Sequence, residues 1–383
     1  MKSTLCVSLI LLGTLAGVSQ TGSTAAVHHV SSREPVLGVA REKSAERTAE
    51  PEIRKNEIPQ QTPAHNWTLQ ATLTGAVIHD LAFPTAQVGY IAAELGQVWK
   101  TTDGGSTWSE ILNLGFPYYW YGVYARTAND VVISGFNDQN FEGIIRWSSD
   151  GGTTWSSDVV LTTTGWSDRV RFANVNDGIV MDQLNLDAAN ADHYTTDGGA
   201  TAADWTAVVP DASGGWFGDQ FSFLSDLHTR ASGINYCMSP NGGQTWRCGP
   251  PVDSVFDGPV FFLNDTYGWV GGGEISPAVE GWLHVTTNGG KNWSGRTLNA
   301  AWPIREILFL NAKSGWAAGG NIYTNVGGIY FSSNGGQTWT LDVNTGAEMH
   351  GCASQKLSGG AVQIWCAGSN GALNGLVYTL LIK

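Results

Sequence analysis

Short apolar clusters recur along the chain from about residue 65, each ended by a turn rich in Gly, Asp, Asn, Ser and Thr. Leu81-Ala82-Phe83 is followed by Gly89-Tyr90, Phe261-Phe262-Leu263 by Gly268-Trp269, and Leu308-Phe309-Leu310 by Gly315-Trp316, and each stretch then runs on to a Gly-Gly turn. No long segment carries a helical period, so the pattern predicts short strands joined by tight turns, an all-β chain. One apolar stretch differs in kind. Residues 1–20 place Lys2 ahead of an apolar run from Leu5 to about Val18, followed by small polar residues. That order reads as a secretory signal cleaved between Ala16 and Ala26, and the run is shorter than the roughly 20 residues a membrane span needs. Residues 21–64, rich in Ser, Ala, Glu, Arg and Pro with few large apolar side chains, read as a disordered linker or propeptide. The folded unit is expected over 65–383.

One turn motif organises that unit. Thr102-Asp103-Gly104-Gly105-Ser106-Thr107-Trp108 returns in variant form at Ser149–Trp155, Thr196–Trp205, Ser239–Trp246, Thr287–Trp293 and Ser333–Trp339. The first glycines fall at 104, 151, 198, 242, 289 and 335, steps of 47, 47, 44, 47 and 46 residues. In each box the Asp or Asn side chain can accept backbone N–H groups of the turn, the glycines supply positive φ, and the Thr and Trp return the chain into the next strand. The indole can pack between neighbouring sheets. A period near 46 residues is the length of four short strands with their turns, which is one propeller blade.

His65 to Lys383 is 319 residues, room for seven such units. The seventh has no box and is expected from Met349–Ser354, Val362–Cys366 and Leu376–Leu380, with its outer strand, Trp67–Leu73, supplied from the start of the domain. Such an exchange closes the ring and leaves no free sheet edge. The predicted fold is a seven-bladed β-propeller with Asp-box hairpins.

The blade openings and their Gly-Gly boxes resemble the photosystem II stability and assembly factor family of propellers over about residues 65–383, and more distantly the propellers of sialidases and xyloglucanases. The resemblance implies that the boxes are structural, since in those families they sit at the blade periphery, away from the ligand. It also implies a scaffold role on a membrane-protein subunit through a basic patch. This propeller is acidic instead, and fold likeness alone carries no role. A sialidase would need an Arg-Ile-Pro motif near the first blade, whereas the string here is Pro303-Ile304-Arg305. Xyloglucanases usually join two propellers across a cleft, and one is expected here.

Composition sharpens the picture. Gly at 49 residues and Trp at 17, with 14% charged residues, suit an all-β chain of short strands. Beyond residue 65 there are 13 basic and 27 acidic side chains, a formal charge of −14, which repels phosphate backbones and argues against nucleic acid. Removal of the signal takes Cys6 with it and leaves Cys237, Cys248, Cys352 and Cys366. Cys237 and Cys248 flank one box, so strand pairing sets them opposite each other, and Cys352 with Cys366 can bridge neighbouring strands in the same way. In the folded unit no CxxC or paired histidines support zinc. Asn66, Asn264 and Asn292 head Asn-X-Ser/Thr sequons, usable if the host glycosylates.

A propeller works at the end of its central channel where the innermost strands begin. The residues at those starts are His79-Asp80, Tyr119-Trp120-Tyr121, Asp168-Arg169, Asp219-Gln220, Asp257, Arg305-Glu306 and Met349-His350. Aromatic faces with charged hydrogen-bonding groups suit a glycan, and paired carboxylates serve as acid and base or nucleophile. Asp168, Asp257 and His350 are the candidate catalytic residues. Asp80, Tyr119, Tyr121, Arg169, Asp219, Arg305 and Glu306 are the candidate binding residues. The same side chains can simply cap strand ends and solvate the channel rim. The sequence therefore points to a secreted, monomeric protein without cofactor or metal that acts on or binds extracellular polysaccharide as a hydrolase or lyase. The alternative is a non-catalytic scaffold for a glycan or protein ligand.

Overall fold

Each apolar cluster and the segment after its glycine forms a strand, and seven four-stranded antiparallel sheets result. The computed structural model describes residues 65–183, 192–209, 220–224, 228–232, 235–253, 257–274 and 279–383. Six blades are meanders in chain order, with inner strands Ile78–Ala82, Tyr118–Ala125, Trp166–Phe172, Gln220–Phe223, Asp257–Phe262 and Ile304–Phe309. In the seventh, Glu348–Lys356, Val362–Ser369 and Gly375–Ile382 are joined by Thr68–Leu73 as the outer strand. Thr68 lies opposite Thr379 and Leu73 opposite Gly375, so the two ends of the described chain close the ring as expected. Among the described residues the only helical segment is the 3-10 turn Ala202–Asp204.

The core lies between blades. Leu73, Ile78, Leu81, Phe83, Ile91, Trp365 and Val377 form one apolar cluster across blades seven and one. Trp269, Leu283, Ile304, Ile307 and Phe309 do the same for five and six. Phe83 stacks on Trp365 at 3.8 Å and Phe309 on Trp269 at 3.5 Å, the same device at two interfaces. Rings of this size bury about 150–250 Å² each, so aromatic packing is the main apolar contribution in blades of such short strands.

The box turns clamp blade to blade. In the first, Asp103 Oδ1 accepts the Thr107 N–H at 2.9 Å, Asp103 Oδ2 accepts the Thr107 hydroxyl at 2.6 Å, and Thr101 Oγ1 accepts the Gly105 N–H at 2.9 Å. Gly104 and Gly105 stand at φ 73° and 91°, where a side chain would be strained. The first-glycine carbonyl then accepts a donor from the preceding blade: Trp365 Nε1 on Gly104 at 2.8 Å, Lys100 Nζ on Gly151 at 2.7 Å, and Trp269 Nε1 on Gly335 at 3.0 Å. Blade seven, without a box, is clamped differently. Asp342 of blade six accepts the His65 N–H at 3.0 Å and the indole N–H groups of Trp67 at 2.9 Å and Trp316 at 3.1 Å.

The disulfides Cys237–Cys248 and Cys352–Cys366 each lie within one blade, joining residues that face each other across paired strands.

Candidate functional site

Among the described residues, six inner strands break register near their first residues, at the end of the channel called here the mouth. The shifts fall between Ile78 and Asp80, Trp120 and Gly122, Ser167 and Val170, Asp257 and Val260, Ile304 and Glu306, and Met349 and Gly351. The residues passed over include His79, Tyr121, Asp168, Arg169, Arg305 and His350. A bulge re-aims its extra side chain, so five of these six bulges carry polar or aromatic residues toward the axis, while that of blade five passes over Gly258 and Pro259. Second-strand glycines make room for them. A Cβ on Gly319 would lie 2.0 Å from the Pro303 carbonyl oxygen, and one on Gly368 would lie 1.9 Å from that of Glu348.

Asp80 is the hub of the channel. It is 1% exposed and pairs with Arg169 Nη1 at 2.5 Å and Arg171 Nη1 at 2.9 Å. It also accepts the N–H groups of Val123 and Leu81, each at 2.9 Å. Burial alone raises its pKa, but the two guanidiniums and these donors outweigh that and hold it at about 2. Arg169 Nη2 reaches the His350 carbonyl at 3.1 Å, which ties blade three to blade seven across the channel.

Glu306 faces the same channel under different conditions. Its Oε2 accepts Gln220 Nε2 at 3.1 Å and its Oε1 accepts the Ile307 N–H at 3.2 Å, and Gln220 also donates to the Arg305 carbonyl at 3.1 Å. Glu306 is part-buried. Burial pushes its pKa up to about 7, with Arg169 only partly opposing.

Nearer the rim, Arg305 Nε pairs with Glu348 Oε1 at 2.8 Å, and Glu348 Oε2 accepts the Ile322 N–H at 3.1 Å and lies 3.8 Å from His350 Nε2. His79 Nε2 lies 3.2 Å from Glu94 Oε1. The His79 ring meets Tyr121 edge-on at 5.1 Å and His350 at 5.7 Å.

The structure thus gathers Asp80, Tyr121, Arg169, Arg305, Glu306 and His350 around the axis. Asp168 is 1% exposed, its carbonyl accepting Ser134 Oγ at 2.7 Å, and Tyr119 is buried as well. Asp219 lies outside the described residues, as does the side chain of Asp257. Sequence reasoning missed Glu94 and Glu348 and left Arg171 outside the candidate set. Glu94 sits on a turn between the second and third strands, away from any inner-strand start. Glu348 is the first residue of the box-less blade, where no box fixes the alignment. Repeated glycines on second strands, such as Gly319-Gly320, were an unused signal for the bulges.

Other polar clusters lie off the axis. In blade three, Asp182 accepts Ser167 Oγ at 2.6 Å and contacts His193 Nδ1, with Asp192 buried beside it. Burial and the nearby Asp182 raise the Asp192 pKa well above the usual carboxylate range. A cleft of about 610 Å³ opens at the closure seam, lined by residues that include His65, Gln70, Asp103, Gln363 and Lys383. Among the described residues no group of three His, Cys, Asp or Glu side chains is placed to hold a metal ion. Among them, too, no helix is long and apolar enough to cross a membrane.

Fold and axis together define the class: a seven-bladed β-propeller with a charged, bulge-built channel mouth. The chain matches no protein-family model and no curated protein sequence. Among solved structures it is similar to YCF48 bound to D1 peptide, at 19% identity over 83% of this chain and 97% of that one, TM-score 0.59. It is also similar to YCF48 from Cyanidioschyzon merolae, at 18% identity over 82% and 98%, TM-score 0.55. The GH74 xyloglucanase from Xanthomonas campestris aligns at 13% identity over 79% of this chain and 53% of that one, TM-score 0.50. At such identities the likeness establishes the fold alone.

Proposed function

We propose that this chain is an exported, non-catalytic binding propeller whose mouth, built by His79, Tyr121, Arg305 and His350, holds a segment of a protein partner. The observation that carries this reading is the state of the axial carboxylates. Asp80 is locked between Arg169 and Arg171, Glu348 is held by Arg305, and Asp168 is buried. A general acid or nucleophile must reach its substrate, whereas Asp80 and Glu348 are committed to ion pairs between blades and Asp168 is closed off by burial. The similar YCF48 structure, described as bound to a peptide, supports a polypeptide ligand. Export is supported by the Leu5–Val18 run and by two disulfides, which persist in oxidising compartments. Asn66, Asn264 and Asn292 are all exposed, as carriers of glycans in such a compartment would be.

A polysaccharide-cleaving enzyme is the second reading, and Glu306 is what favours it. A channel carboxyl with a pKa of about 7 has the protonation behaviour of a general acid at neutral pH. The two readings separate in one experiment on the purified protein. Selection from a displayed peptide library should give binders lost in Tyr121→Ala and His350→Ala, while plant and microbial polysaccharides yield no new reducing ends or unsaturated products. Cleavage of any polysaccharide that is abolished in Glu306→Gln or Asp168→Asn would overturn the binding reading.

A further inference from the structure

Lysine is sorted along the propeller axis, while carboxylates stand at both ends, those of the far end including Asp103, Asp130, Asp150, Asp177, Asp197 and Asp265. The chain beyond residue 65 has five lysines, Lys100, Lys291, Lys313, Lys356 and Lys383. All are placed toward the end opposite the mouth. Lys100 reaches a box carbonyl, Lys291 is in a box, Lys313 is in the turn after an inner strand, Lys356 ends an inner strand, and Lys383 follows the last strand. At the mouth end stand Glu94, Asp138, Glu142, Glu274, Glu280 and Glu348, at strand termini or in the turns between second and third strands. The arginines that reach this end are already paired, Arg169 with Asp80 at 2.5 Å, and Arg305 with Glu348 and Arg296 with Glu280, each at 2.8 Å. Glu274 and Glu280 stand directly opposite each other across a hairpin, a like-charge pair that lowers stability.

The exposed aromatics follow the same polarity. Phe116, Phe141 and Tyr323 are 66%, 38% and 55% exposed, and all three lie in mouth-end turns. Among the described residues four non-glycine positions adopt positive φ, Leu95 (55°), Phe141 (60°), Asn325 (53°) and Leu373 (58°), and each sits in a mouth-end turn between second and third strands. Bulky residues avoid that conformation, and where it is kept the surrounding structure or a binding role must compensate for the strain.

Resting on the binding reading above, we infer that the mouth end is a docking surface for a basic segment of a protein partner. Lys or Arg side chains of that segment meet Glu94, Glu142 and Glu274, and its apolar side chains rest on Phe116, Phe141 and Tyr323. The argument for this occupant is charge complementarity: an acidic end without lysine repels anionic polysaccharide, nucleic acid and anionic lipid, and attracts a basic polypeptide. Aromatic side chains add contact area at low conformational cost and stack on guanidinium groups.

The test uses the full chain and a synthetic 12-residue peptide of alternating Arg and Leu, with citrulline and Glu versions in place of Arg, followed by fluorescence anisotropy. The Arg peptide is expected to bind at least about tenfold more tightly than the citrulline version and to lose affinity as salt rises. Glu142→Lys with Glu274→Lys should weaken it by about tenfold or more, and Glu110→Lys, exposed on an outer strand, should leave it unchanged. Phe141→Asn should weaken binding while leaving stability equal or higher, because Asn tolerates positive φ, a split that a purely structural residue would not give. Equal binding of all three peptides, or indifference to the Glu142 and Glu274 reversals, would overturn the inference. Library-selected peptides of any charge that still require Tyr121 would leave the binding reading standing without it. Self-association abolished by Lys313→Glu would identify a second copy as the occupant and overturn the choice of a separate partner.

Discussion

Asp80 sits between two guanidiniums, and removing its charge leaves both without their counterion in the channel. Asp80→Ala should therefore cost about 3–5 kcal/mol in chemical denaturation, far more than an exposed carboxylate. Its folded pKa of about 2 lies below the ordinary 3.8, so the stability it contributes is complete above pH 4 and is lost as pH falls toward 2. The loss amounts to about 2 kcal/mol. Glu306 has the opposite sign. Its pKa rises from 4.5 to about 7, so the folded state holds the extra proton and stability declines as pH climbs from about 5 through 7. In Glu306→Gln that decline should vanish from melting curves taken between pH 5 and 8, and its persistence would show that another group causes it. The ring of inner-strand starts was legible in the sequence because it follows from the repeat period. Whether a carboxylate there is open or paired was not, since the pairing of Asp80 with Arg169 and Arg171 depends on the distance between different blades.

At the scale of elements, box spacing predicted the blades and the exchanged outer strand Thr68–Leu73, because turn chemistry and period are local properties. The bulges at His79, Tyr121, Arg305 and His350 were not legible, since register depends on how closely a neighbouring strand approaches. Gly368→Ala tests this: its Cβ would collide with the Glu348 carbonyl, so misfolding or a loss of at least about 3 kcal/mol is expected. The clamp at Asp342 was hidden for another reason, namely that two of its donors, His65 and Trp67, lie 277 and 275 residues away in sequence. Asp342→Ala leaves three donors unanswered and should cost about 3 kcal/mol, with amide exchange accelerated first in Thr68–Leu73. Uniform acceleration over the whole ring would contradict a local clasp. The disulfides, within hairpins, should contribute at the low end of about 2–4 kcal/mol, measured by denaturation with and without reductant.

Over the whole molecule, a net charge of −13 was plain from composition, whereas the sorting of lysine between the two ends was not. Sorting needs the direction of every strand, which only the closed ring supplies. The acidic mouth, the far-end lysines and the locked axial carboxylates belong to one account, in which the channel is a rigid frame and its mouth end is the working surface. Hydrogen exchange of the full chain with and without a library-selected peptide tests that account most directly. It predicts protection at the mouth, in residues 94–96, 116–121, 138–142, 322–325 and 348–350. Protection confined to the closure-seam cleft around residues 65–70 and 380–383, with the mouth unchanged, would contradict it.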